Sequence, residues 1–180
     1  MRAHQYIDLP TRALVEITEF GNVTCPQSRQ VRKLMDEVAD LFSGRVSYRY
    51  RHYPTLDNDE SLLAALALEA AKRQGQFRSM QEELLGQSPI NCSTLLSLAI
   101  KLGLDQCQFM NDLISDPVHK VIKTDWQSAY TLGVYHAPAL FVNGYRFHGK
   151  LTLSRLVPFI RFYTDREAKA TSYPYKLETR

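Results

Sequence analysis

The chain of 180 residues is poor in cysteine: it has three, Cys25, Cys92 and Cys107. An odd and sparse set argues against a disulfide framework. The N-terminus, "MRAHQYIDLPTRALVEITEF", has no continuous apolar stretch and no small-residue cleavage site, which argues against a secretory signal. Both features point to a reducing cytoplasm. No window approaches the roughly 18 uninterrupted apolar residues of a membrane-spanning helix, so no membrane is expected as a partner. Charge of one sign is also scarce. The formal net charge is +3 with the basic residues dispersed, which speaks against nucleic acid and acidic membranes. His4, His119 and His148 show no metal-ligand spacing with each other or with the cysteines, and no metal is expected. Neither a glycine-rich phosphate loop nor a Ser-His-Asp ordering stands out.

The chain does have enough apolar residues, 44%, for a sizeable core. Residues 13 to 20, "ALVEITEF", lack helical period and read as a strand buried on both faces. From Val31 the period changes. Val31, Leu34, Met35, Val38, Leu41 and Phe42 share one helical face; Pro26 suits the first turn and Gly44 ends the helix. "RVSYRYRHYP" then alternates at strand period. Residues 59 to 132 read as helices throughout, four or five of them, with Asp105 and Asp116 as N-caps. Val118, Val121, Ile122, Trp126, Ala129 and Tyr130 form the apolar stripe of the last. Strand character returns in "APALFVNGYRFHG", where Asn143-Gly144 predicts a type I′ hairpin. A final helix, "SRLVPFIRFY", follows. The tail from residue 166 is polar and without period, mobile or packed on a partner.

β-α-β, then a helical block, then a hairpin and a helix is the thioredoxin plan with an insertion. The sequence resembles the DsbA-like branch of the thioredoxin superfamily in four stretches: "EFGNVTCPQS", "YRHYP", "LAALALEAAKRQGQF" and "LGVYHAPALFVNGYRFHG". The fold class expected is therefore α/β, thioredoxin-like with a helical insertion domain. Residues 1–58 and 133–165 form the thioredoxin-like unit, 59–132 the insert and 166–180 the tail. The departure is chemical. Where the family pattern C-P-x-C has its second cysteine, this chain has Ser28.

Cys25 is expected at the mouth of the first helix. Free amide groups and the positive end of the helix dipole favour an anion there. Such sites lower a thiol pKa from about 8.5 to roughly 3.5–7.5. Ser28, one turn on, is expected to donate a hydrogen bond to the sulfur, and Arg29 adds a nearby positive charge. The catalytic set expected is Cys25, Ser28 and Glu19; that Glu19 handles protons is what the resemblance implies. The substrate-binding set expected is Pro26, Gln27, His136, Ala137 and Pro138; the resemblance implies that Pro138 is the family's cis-proline, and His136 joins the set by lying two residues before it. A cis bond turns the Ala137 backbone toward Cys25, so that it can pair with an extended peptide. The blander readings stay open. Cys25 is then a packed small side chain, Pro138 a trans strand-edge proline, Glu19 a carboxylate paired with a neighbour and His136 a surface histidine. His52 reads as a satisfied structural histidine, Cys92 as a helix-start thiol and Cys107 as a buried mid-helix thiol.

A lone thiol can open a mixed disulfide but needs an outside thiol to resolve it. The favoured expectation is a thiol-disulfide oxidoreductase working through one cysteine. It holds no bound cofactor and works either by disulfide exchange on a client or by reducing mixed disulfides with glutathione as co-substrate. Its partner is a thiol- or disulfide-containing protein or peptide, and a homodimer is left open. The alternatives are a glutathione-dependent transferase or isomerase and a non-catalytic peptide-binding module.

Overall fold

The structure, a computed structural model, describes residues 14–171, with side chains through Thr164. Strand β1 (Val15–Gly21) leads into helix α1 (Pro26–Phe42) and strand β2 (Val46–His52). Five helices follow: α2 (Asp59–Arg73), α3 (Phe77–Leu84), α4 (Cys92–Lys101), α5 (Gln106–Leu113) and α6 (Asp116–Thr131). Strands β3 (Ala139–Val142) and β4 (Tyr145–Arg146) and helix α7 (Leu153–Thr171) complete the described chain. The sheet order is β2-β1-β3-β4; β1 and β2 are parallel, and the other two pairings are antiparallel. The β3–β4 turn has positive φ at Asn143 (48°) and Gly144 (79°), as the Asn-Gly pair predicts.

The apolar stripe of α1 meets the sheet face carrying Val15, Ile17, Leu140 and Val142. Helix α7 lays Leu156 and Ile160 on the same face. The opposite face carries Phe20, Ala139 and Phe141, closed by Ala129 of α6 and Val134. Phe20 and Phe141 meet edge-to-face, ring centroids 5.7 Å apart. The five inserted helices share a third core around Leu68, Met80, Leu95 and Phe109, which Val23 and Tyr50 join from the sheet side. Every residue of α2 from Ala64 to Ala71 is buried. A helix apolar all round must lie inside, and its alanines let neighbouring helices approach closely.

Five expectations need correction. Ser115, not Asp116, is the N-cap of α6, which begins at Asp116. Strand β1 is buried on both faces only near its C-terminal end: Glu16 is exposed and Thr18 half-buried, because Ala129 of α6 and Val134 cover that face only at Phe20. The α6 stripe is narrower than its apolar pattern, since Val121 and Tyr130 face solvent while Val118, Ile122 and Ala129 are buried. Cys107 is exposed and lies in the first turn of α5, because Asp105 caps that helix by accepting from Gln108 N at 2.8 Å. Helix α7 extends to Thr171, so the first residues assigned to the tail are helical. The rest of the tail, and Ala13 at the expected start of β1, lie outside the described residues.

At the end of β1 the packing leaves no room for a side chain. A Cβ on Gly21 would stand 2.3 Å from Tyr50 Cε2 and 2.7 Å from Glu19 Oε1. Both neighbours are buried and cannot swing away. Gly21→Ala is therefore expected to destabilise the fold by about 1–3 kcal/mol in urea unfolding. An unchanged midpoint and slope would show that the strand end relaxes at no cost.

Candidate functional site

The turn from β1 into α1 is built on Asn22, which the sequence reading passed over. Its buried side chain accepts from Thr24 N at 3.1 Å and from Thr24 Oγ1 at 2.8 Å. Its amide group donates to Thr55 Oγ1 at 3.1 Å, tying the turn to the loop after β2. Its carbonyl accepts from Cys25 N at 2.9 Å and from Ser28 Oγ at 2.6 Å. An asparagine whose side chain bonds the backbone two residues on is a turn-former, and that pattern was readable in N-V-T.

This turn sets Cys25 at the N-cap of α1, with extended backbone and no side-chain cap bond. Pro26 follows at the first helical position, where its missing N–H costs nothing. Cys25 is partly exposed. Its thiol donates to Gln27 Oε1 at 2.8 Å, and Sγ lies 3.7 Å from the carbonyl oxygen of Ala137. The Ala137–Pro138 peptide bond is cis. Cys25, Gln27, Ala137 and Pro138 thus come together. Ser28 is buried with its hydroxyl committed to Asn22, so the expected Ser28 bond to the sulfur is not made: the hydroxyl closes the turn instead.

Glu19 sits behind the turn, 2% exposed. Tyr48 donates a short hydrogen bond to its Oε2. Burial pushes its carboxyl from 4.5 up to about 7, against the opposing pull of the Tyr48 bond and the Arg32 charge. Glu19 makes no direct bond to Cys25. Arg32, also missed in the sequence, bonds Asp36 at 2.5 Å while its Nε is buried without a partner. His52 is satisfied on one side only. Its Nε2 meets Glu69 Oε1 at 3.0 Å and its backbone N–H donates to Asp125 Oδ2 at 3.0 Å, but Nδ1 is buried without a partner. Burial acts to raise the Glu69 carboxyl, but the bonds and charges of His52 and Lys72 prevail and hold it below its ordinary range.

Cys25 stands between two grooves. One, of about 540 Å³, runs past Asn22, Tyr53, Trp126, Tyr135, His136 and Ala137. Tyr53 and Trp126 stack at 6.0 Å, and Trp126 stacks on Tyr130 at 5.7 Å. His136 is an exposed wall residue here. The sequence places Trp126 in the α6 apolar stripe; only the tertiary fold sets it with Tyr53 in the groove beside Cys25. The second groove, of about 460 Å³, runs past Pro26, Arg29, Asn58, Glu60 and Ser88.

A family model described as Thioredoxin matches residues 10–161, and the chain belongs to that family. Its architecture is of the DsbA-like type. A thioredoxin-like oxidoreductase from Silicibacter pomeroyi DSS-3 is 28% identical with a TM-score of 0.73, covering 86% of this chain and 87% of that one. The α-DsbA1 of Wolbachia pipientis, 15% identical, shares the fold at a TM-score of 0.79 over 96% of both chains. Among curated proteins, "Na(+)/H(+) antiporter NhaA 1" of Salinispora arenicola is 33% identical over 149 residues, 82% of this chain and 23% of the antiporter. The protein of the same name from Mycobacterium sp. (strain KMS) is 32% identical over 146 residues, 78% of this chain and 24% of that protein. The chain spans about a quarter of the length of these relatives. No helix among the described residues is long and apolar enough to cross a membrane.

The raised Glu19 carboxyl has a pH signature. Between about pH 4.5 and 7 the folded protein keeps a proton that the unfolded chain releases. Stability therefore falls as pH rises through that window, by on the order of 3 kcal/mol in all, and is flat above it. Glu19→Gln removes this slope. In urea unfolding the variant is expected to gain on the wild type by roughly 1–3 kcal/mol between pH 5 and pH 8. A difference that does not change with pH would show that Glu19 does not titrate in this range.

Proposed function

We propose that the protein is a thiol-disulfide oxidoreductase of DsbA-like type that works through Cys25 alone and uses glutathione to reduce mixed disulfides. One observation carries this reading: the sulfur stands partly exposed at the N-terminus of α1, 3.7 Å from the Ala137 carbonyl. The 28% identity to a thioredoxin-like oxidoreductase supports the reaction class.

The Cys25 thiolate attacks one sulfur of a mixed disulfide. A new S–S bond forms to Cys25, the old one breaks, and the client leaves as a thiolate that takes a proton from solvent. A glutathione thiolate then attacks the glutathionyl sulfur bound to Cys25, releasing oxidised glutathione and the Cys25 thiolate. Gln27 serves both states, since its amide oxygen accepts from the thiol and a turn of the amide group presents its N–H to the thiolate. Ser28 holds the turn and takes no part in resolution. Glu19, buried behind the turn with a carboxyl pushed up to about 7, is the residue to which the reading assigns proton handling, with no direct bond to Cys25. The Ala137 backbone pairs with the extended client, and the groove of Tyr53, Trp126 and Tyr135 takes its side chains. Three free cysteines, two of them exposed, support a cytoplasmic setting; acid trapping in cell extract should find Cys92 and Cys107 reduced, and finding them oxidised would move the protein elsewhere. The aromatic groove also supports a second reading, a peptide-binding module. It requires that Cys25→Ser bind peptide as the wild type does while the wild type turns nothing over.

On the favoured reading Cys25→Ala abolishes turnover of a glutathionylated peptide, a loss of at least about 100-fold in kcat/KM. Ser28→Cys creates a dithiol and is expected to confer insulin disulfide reduction, at the expense of the bond to the Asn22 carbonyl. Full activity in Cys25→Ala would remove the sulfur from the mechanism.

A further inference from the structure

The second groove beside Cys25 has a charge pattern that the redox step does not use. Arg29, on the second turn of α1, reaches across it. Its Nη2 lies 3.1 Å from where a Cβ on Gly86 would stand, so the guanidinium rests over the bare backbone of the α3–α4 connection. Glu60, in the first turn of α2, lines the same groove. Among the described residues neither makes an ion pair or a side-chain hydrogen bond, with each other or with anything else. Other cations of the chain differ: Arg32, Arg73, Arg78 and Lys101 all pair with carboxylates. One groove thus holds an unpaired cation and an unpaired anion, on separate helices, with the Cys25 sulfur at its rim. Asn58, whose side-chain oxygen caps α2, and Ser88 line the same groove.

Small-molecule sites occupy about 300–1,000 Å³ with a few placed polar groups, and this groove, of about 460 Å³, falls in that range. Its charges complement a zwitterion that brings its own sulfur. Glutathione has a central thiol, a carboxylate at each end and an ammonium group at one. We propose that the groove is the subsite for the glutathionyl half of the mixed disulfide, with Arg29 holding a carboxylate and Glu60 the ammonium group. The inference rests on the redox reading of Cys25. In the first step the glutathionyl group is transferred to Cys25 and settles in this groove, while the client leaves from the aromatic side. The second glutathione attacks the same glutathionyl sulfur. Arg29 and Glu60 are specificity residues: they touch the group transferred but take no electrons or protons.

The test compares two substrates that differ only in that group: one peptide thiol as its mixed disulfide with glutathione, and the same thiol with uncharged 2-mercaptoethanol. Arg29→Gln and Glu60→Gln are each expected to lower kcat/KM for the glutathionyl substrate about tenfold and to leave the mercaptoethanol substrate unchanged. S-Methylglutathione, which cannot exchange, should bind the wild type and bind both variants about tenfold more weakly in calorimetry. Equal losses on both substrates, or none on either, would overturn the subsite while leaving the redox reading in place. A wild type that turns over neither substrate would overturn the redox reading and the subsite with it.

Discussion

The hydrogen bonds gathered by Asn22 are the constraint on which the site depends. A strand ending at a helix must reverse its backbone within a few residues, and the first amides of the helix have no partners of their own. Asn22 answers both demands. Its side chain bonds the turn forward to Thr24 and sideways to Thr55, while its carbonyl accepts from Cys25 N–H and the Ser28 hydroxyl. Cys25 is thereby left at the cap position with its sulfur free to face the Ala137 loop. Buried amide groups bonded on every side define a single geometry, because any departure leaves polar groups unsatisfied.

Behind that turn lie buried charges that hydrophobic packing alone does not require. Glu19 has Tyr48 and the field of Arg32; His52 has Glu69 and, through its backbone, Asp125. Asp125 comes from α6 and Glu69 from α2, so the end of β2 is pinned to two helices of the insert. A buried ion or polar pair is a weak source of net stability but a strong source of specificity, since mispairing strands a charge in the interior. The consequence is positional: α6 brings Trp126 against Tyr53, which builds one wall of the groove beside the sulfur.

Ser28 shows how the substitution at the second cysteine position changes more than electron count. A serine hydroxyl is a good donor with a close carbonyl to bond, and it tightens the turn. A thiol there would be a weak donor and a second nucleophile. The Cys25 sulfur therefore stands between two grooves, one aromatic and one lined by charged residues, with no second thiol at position 28.

Much of this was readable in the residues. Apolar periodicity marked α1, β2 and the helical block, Asn143-Gly144 marked the hairpin, and Cys25-Pro26 marked the mouth of α1, because these signals are local and repeat within a few residues. What was not readable depended on neighbours far along the chain. Cys107 seemed interior until the Asp105 cap placed it in a first turn, and β1 looked covered on both faces until α6 was found to cover only one end. The Ser28 hydroxyl had two acceptors within reach, and only the fold of the turn chose the carbonyl over the sulfur. The sequence by itself determined the element order, the family and the position of Cys25 at the mouth of α1. The tertiary structure alone decided what surrounds that thiol, since grooves, buried charges and bonding partners arise where distant segments meet.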